Sequence, residues 1–239
     1  MNGEVTLREA LFVAGKEGLV RETYKDSVGV ETWGYGVTSK SGHSVGRYNG
    51  KKASYEKCAE IYAWLLERYL ADVLEAFEGH ELTAYQRTAA LSFHWNTGAI
   101  KTASWVAAWK AGDTAEARER FMRWNKPKEI IERRETERDL FFNAAWPAAL
   151  RDPSRLGKVT VLEYTRVRSS GTPDWGSAKR VNVTPHFKAA MKRLEDPKAT
   201  TKPSKVPVAG ALTLVVISNI VNWFRDDLGP VWEWIGGIF

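Results

Sequence analysis

Apolar residues recur at helical spacing in Leu7, Ala10, Leu11 and Ala14, directly after Thr6 and with Glu9 three residues beyond it. A hydroxyl that accepts the third amide, with a carboxylate reaching back, is a capping box. The pattern therefore predicts a helix that opens at Thr6 and ends near Gly18. From about Tyr24 to Tyr48 glycines alternate with β-branched and aromatic residues, which predicts a small antiparallel sheet with tight turns. At Ser54 the period becomes helical: Tyr62, Leu65, Leu66, Tyr69, Val73 and Phe77 form one stripe on a helix of about 23 residues. A second capping box, Thr83 with Gln86, opens a helix running towards Trp95. Further helices are expected at 101–111, at 114–124 behind Asp113, and at 128–145, with Gly79, Gly98, Gly112 and Pro127 in short loops between them. Together these elements predict an α+β domain over residues 1–150, with a small sheet lobe and a helical lobe joined by one long helix.

Composition supports a packed core: 44% of the 239 residues are hydrophobic, 11 of them Trp. Trp33, Trp95 and Trp124 read as core rather than as sugar platforms. The single cysteine, Cys58, excludes an intramolecular disulfide framework and reads as a small buried filler. His43, His80, His94 and His186 are scattered, so no metal is expected and no cofactor is implied. The net charge of +6 is uneven. Residues 1–150 balance, residues 151–205 carry 13 basic against 5 acidic side chains, and residues 206–239 are slightly acidic. The basicity belongs to the middle segment, so it does not argue for a nucleic-acid partner. The N-terminus has no basic cluster, no sizeable apolar run and no small-residue cleavage site, and does not read as a secretory signal.

The candidate chemistry lies in KEGLVRETYKDSVGVETWGYGVTS, which places Glu17, Asp26 and Thr32 in one short stretch. Two carboxyls and a hydroxyl suffice to hydrolyse a glycosidic bond. One carboxylic acid protonates the leaving oxygen, and the other carboxylate prepares or holds the attacking water. The triple alone is weak: with each residue type at roughly 5–6% abundance, chance places it in about 3% of chains this long. Its surroundings add weight, with EG at the glutamate, YKD at the aspartate and GYG two residues after the threonine.

On these motifs the chain resembles the phage-type lysozymes, glycoside hydrolase family 24. The resemblance continues through LTAYQRTAALSFHWNTG (82–98), AGDTAEARERFMRW (111–124) and ERRETERDLF (132–141), and so spans about residues 5–146. It implies a two-lobed fold with the substrate cleft between lobes. Glu17 would be the essential acid, Asp26 and Thr32 would position the water, and the anomeric carbon would invert. The implied substrate is peptidoglycan, cut between N-acetylmuramic acid and N-acetylglucosamine. As an acid near neutral pH, Glu17 needs a partly desolvated setting. Gly34 and Gly36 are candidate substrate-binding positions where sugar rings approach the backbone; glycines needed only for sheet twist are the alternative. Arg133, Arg134 and Glu137 either brace Glu17 by ion pairing or form a solvated helix face. Two departures stand out. Val37 occupies a position where many relatives carry His, and the loop NKPKEII lacks their Gly-Leu pair, which puts substrate contacts from that loop in doubt.

Beyond residue 150 the chain changes character. Residues 151–205 are basic and rich in Pro, Ser and Thr, and read as a linker with a short strand at 158–167 and a helix at 185–194. Residues 206–224 hold 19 residues without a charge. As a helix they would span about 28 Å, close to a bilayer's hydrocarbon thickness. Trp223, Trp232 and Trp234 suit a membrane interface, and 225–239 reads as a short amphipathic tail. The expected partners are therefore peptidoglycan and a bacterial membrane, in the setting of a phage endolysin. The positive-inside tendency places the N-terminal domain in the cytoplasm, across the membrane from its substrate. Alternative readings are a membrane-anchored peptidoglycan-binding scaffold and a virion-associated lysozyme.

Overall fold

Both capping boxes form, and each starts a helix where the sequence places it. The computed structural model describes residues 4–26 and 29–195. Its elements are α1 (Leu7–Ala14), β1 (Gly18–Lys25), β2 (Glu31–Gly34), β3 (Val37–Thr38), α2 (Tyr55–Ala76), α3 (Ala84–Thr97), α4 (Ser104–Lys110), α5 (Thr114–Met122), α6 (Ile131–Asn143), β4 (Thr160–Tyr164), β5 (Ala178–Asn182) and α7 (Thr184–Leu194). This is the α+β, two-lobed architecture expected from the pattern. The apolar stripe of α2 is buried throughout, and α3 is buried on every side from Arg87 to Asn96. A helix buried all round needs packing partners on all sides; α1, α2 and α6 supply them. Glu9 serves twice. It completes the cap of α1 and takes two hydrogen bonds from Arg87 on α3, at 2.6 and 2.8 Å, both side chains being buried. Trp33 and Trp95 are core residues, and Trp124 packs edge-on against Phe93. Cys58 is buried, and that burial pushes its thiol pKa up.

The sheet has five strands in the order β3-β2-β1-β4-β5, antiparallel except for the parallel pair β1–β4. It begins earlier than the glycine-rich pattern suggests, at Gly18 rather than Tyr24, so Glu17 lies at the junction of α1 and β1. The register of β1 against β2 shifts between Val20 and Tyr24, a bulge that bends the strand.

Within 151–205, the expected strand at 158–167 and helix at 185–194 form as β4 and α7, and both pack onto the domain. Residues 160–164 and 178–182 form a hairpin added to the edge of β1, and α7 packs on α2 and α1. Phe187 of α7 is fully buried, with ring centroids 5.7 Å from Tyr35 and 6.1 Å from Tyr62. Glu163 fastens the hairpin: buried, it accepts from Arg21 Nε at 2.8 Å and Tyr55 Oη at 2.7 Å, and meets Lys179 Nζ at 3.3 Å. Burial opposes its ionisation, but these three donors outweigh burial and hold its carboxyl below the usual carboxylate range. The composition misleads because an edge hairpin buries few side chains; only Val161, Glu163 and Tyr164 of β4 are buried, and none of β5. The apolar stretch 206–224, the tail 225–239 and residues 196–205 lie outside the described residues. Among the described residues, no helix is long and apolar enough to cross a membrane.

Candidate active site

The turn that ends α1 presents Glu17. Its amide donates to Ala14 O at 3.0 Å, which fixes the backbone just before Gly18 enters β1. The side chain is almost wholly buried, and Oε1 accepts from Arg133 Nη1 at 2.8 Å. Arg133 is itself held from behind. Its Nε donates to Glu137 Oε1 at 3.0 Å, and Nη2 donates to Ser92 O at 3.2 Å. Glu137 is fully buried, accepts from Ser92 Oγ at 2.5 Å and pairs with Arg134. Arg134 in turn donates to Trp124 O at 2.9 Å and to Asn96 Oδ1 at 2.6 Å. Two guanidinium groups thus face two carboxylates in a buried set with no net charge. Burial disfavours the charged Arg133, yet Glu17 and Glu137 outweigh it and raise its pKa. The ion-pairing brace, not the solvated face, is what the α6 sequence encodes.

Asp26 follows β1 and organises its own turn. Its Oδ1 accepts from Val30 N at 2.8 Å, its amide donates to Val30 O at 3.0 Å, and its carbonyl accepts from Gly29 N at 3.0 Å. Thr32, fully buried on β2, donates its hydroxyl towards Val30 O at 3.0 Å and lies 3.5 Å from Asp26 Oδ2. Asp26 therefore shapes a turn and also adjoins the threonine hydroxyl. Tyr24 links this pair to Glu17. It is buried, and burial, followed by the charges of Asp26 and Glu17, pushes its phenol pKa up. Both carboxylates thus act on this one ring.

A cavity of about 400 Å³ opens beside Glu17. Glu17, Gly18, Val20 and Tyr24 form its floor, Asn96, Glu129, Ile130 and Arg133 the helical wall, and Leu162, Tyr164, Trp175 and Arg180 the opposite wall. Asp26, Thr32, Gly34 and Gly36 do not line it. Gly34 ends β2 and Gly36 lies in the turn before β3, at φ values of +65° and +85°. That left-handed conformation favours glycine at both positions. The part played by Asn96 and Tyr24 escapes the sequence reading, as does the pairing that turns the expected strand at 158–167 into a wall of the cleft. Among the described residues, no group of three or more His, Cys, Asp or Glu side chains converges as a metal site.

A buried carboxyl on a guanidinium at the edge of a cleft, with a second carboxyl beside a hydroxyl at the far end of the same strand, fits acid-assisted hydrolysis. Solved structures share the fold. An endolysin from Escherichia coli O157:H7 phage FAHEc1 is 25% identical with a TM-score of 0.51, over 62% of this chain and 99% of its own. A P22 lysozyme mutant is 26% identical with a TM-score of 0.50, over 58% of this chain and 97% of its own. No curated protein matches. The phage lysozyme family model matches residues 14–137, more than half of the chain, and this span contains Glu17, Asp26, Thr32, Arg133 and Glu137. The chain belongs to the phage lysozyme family.

Proposed function

We propose that the protein is a muramidase that hydrolyses the β-1,4 bond between N-acetylmuramic acid and N-acetylglucosamine in peptidoglycan, with inversion at the anomeric carbon. One observation carries this reading: the Glu17 carboxyl is buried, oriented by Arg133, and lines the cleft between the lobes. The phage endolysin and phage lysozyme of like fold support the same substrate. The acid role requires Glu17 to hold a proton in the glycan complex, a form favoured as glycan fills the cleft and excludes water. Glu17 then protonates the leaving oxygen, while Asp26 and the Thr32 hydroxyl hold the water that attacks from the opposite face. Gly34 and Gly36, two and four residues beyond Thr32, would let a sugar ring approach the backbone. Inversion requires room for that water, with carboxyls about 6.5–9.5 Å apart. Digestion of purified sacculi followed by mass spectrometry and proton NMR tests this. Fragments ending in reducing muramic acid, with the α anomer formed first, are expected. Reducing glucosamine ends would reject the bond assignment, and a first-formed β anomer would reject inversion.

The uncharged stretch 206–224 supports a second part of the reading, an endolysin that associates with the host membrane from the cytoplasm and reaches the wall once that membrane is breached. Membrane fractionation of the full chain beside a chain stopped at residue 205 tests it. The full chain should sediment with membranes and the shortened one should not. Equal behaviour rejects the anchor.

A further inference from the structure

The matched family span stops at residue 137, and the hairpin that walls the cleft lies beyond it. Resting on the muramidase reading, we propose that this hairpin is a substrate subsite of the chain's own, in which Trp175 supports a muramyl sugar ring and Arg180 binds a carboxylate of its peptide stem.

Strand alternation puts the two sides of the sheet to different uses. Leu19 and Glu163 are buried away from the cavity, whereas Gly18, Val20, Leu162, Tyr164 and Arg180 line it, together with Val161. Register aligns three of these across the sheet: Gly18 pairs with Leu162, and Leu162 pairs with Arg180. Two strand spacings place Arg180 about 10 Å from Gly18, and hence about two sugar-ring widths from the acid at Glu17. Trp175 is half-exposed and held edge-on by Tyr164, with centroids 4.8 Å apart and planes at 86°. An indole fixed on one edge keeps a face for the C–H surface of a pyranose.

The charges on the hairpin single out Arg180. Lys179 meets Glu163 at 3.3 Å, Arg166 meets Asp174 at 2.7 Å and Arg168 meets Asp174 at 3.5 Å. Arg180 has no carboxylate partner among the described residues, and it faces the cleft. Across the cavity, Asn96 Nδ2 and Glu129 Oε1 are buried without a hydrogen-bond partner. An orphaned donor and an orphaned acceptor opposite an aromatic plane suit a polar occupant such as an acetamido sugar. Peptidoglycan alone among abundant acetamido glycans carries peptide stems with free carboxylates beside its rings. That is the chemistry an unpaired guanidinium recognises.

The test titrates full-length Glu17→Gln protein, in which cleavage is blocked, with two soluble probes: glycan fragments bearing tetrapeptide stems, and the same fragments stripped by an amidase with the freed lactyl carboxylate capped as its methylamide. Adding Arg180→Gln should weaken stem-bearing fragments roughly tenfold and leave stripped ones unchanged. Adding Trp175→Ala should weaken both about three- to tenfold. Arg168→Gln removes the same charge from the same hairpin away from the cavity, and should change neither. Equal effects of Arg180→Gln on both probes, or no effect, overturn the stem assignment. No effect of Trp175→Ala on either probe, with folding confirmed by thermal melting, overturns the subsite. A wild-type chain that leaves sacculi intact would instead defeat the muramidase reading, whatever the probes show.

Discussion

Glu17 and Asp26 stand at opposite ends of β1, and the chain fixes them by different means. Glu17 is oriented by a guanidinium 116 residues away, itself locked by Ser92 and Glu137, whereas Asp26 is held by an amide four residues on and lies beside a hydroxyl six residues on. The first arrangement exists only once the helical lobe has packed against α1. The second forms as soon as one hairpin closes. The carboxyl proposed to give the proton is thereby set in a buried, ion-paired scaffold, while the carboxyl proposed to hold water is set in a local turn.

This contrast can be broken by substitution. The largest expected effect on stability is that of Arg133→Ala, which leaves Glu17 and Glu137 with one guanidinium fewer in a buried site. Urea unfolding should show a loss of about 3–5 kcal/mol. Glu163→Gln comes next. It weakens the tie from the hairpin to Arg21 and Lys179 and should cost about 2 kcal/mol, with Tyr55 still able to donate. Asp26→Asn keeps the acceptor for Val30 N, so unfolding should change by less than about 1 kcal/mol while cell-wall clearing falls at least a hundredfold. A stability loss matching that of Arg133→Ala would contradict the local character of the Asp26 site.

The smallest effect at neutral pH concerns His43. Burial, followed by the charges of Arg47 and Lys57, lowers its pKa to about 4. The unfolded chain takes up this proton first, near pH 6.5, so the neutral buried ring contributes its full stability above that value. The contribution declines as pH falls from 6.5 towards 4. Thermal melts across this window should show the slope, and His43→Gln should flatten it; an unchanged slope would assign the acid sensitivity elsewhere.

What the sequence disclosed follows the same division. The capping boxes at Thr6 and Thr83 and the stripe on α2 are local signals, and each helix they predict is present. Pairing of Gly18 with Leu162 joins residues 144 positions apart, and no local pattern specifies such a parallel contact. The strand at 158–167 is legible locally, but its partner β5 and its place beside β1 as a cleft wall are not. Arg133 and Glu137 were visible as charges on a helix, but only packing of α6 against α3 separates a brace from a solvated face. Gly34 and Gly36 are a conspicuous motif with a backbone requirement of their own, since both sit at positive φ.

The most direct test is turbidity loss of purified cell walls under equal amounts of wild-type and Glu17→Gln protein, with thermal melting run beside it. Gln keeps the shape and an acceptor for Arg133 but has no proton to give. Clearing should fall at least a hundredfold with the fold intact. Equal clearing by the two proteins would contradict Glu17 as the acid.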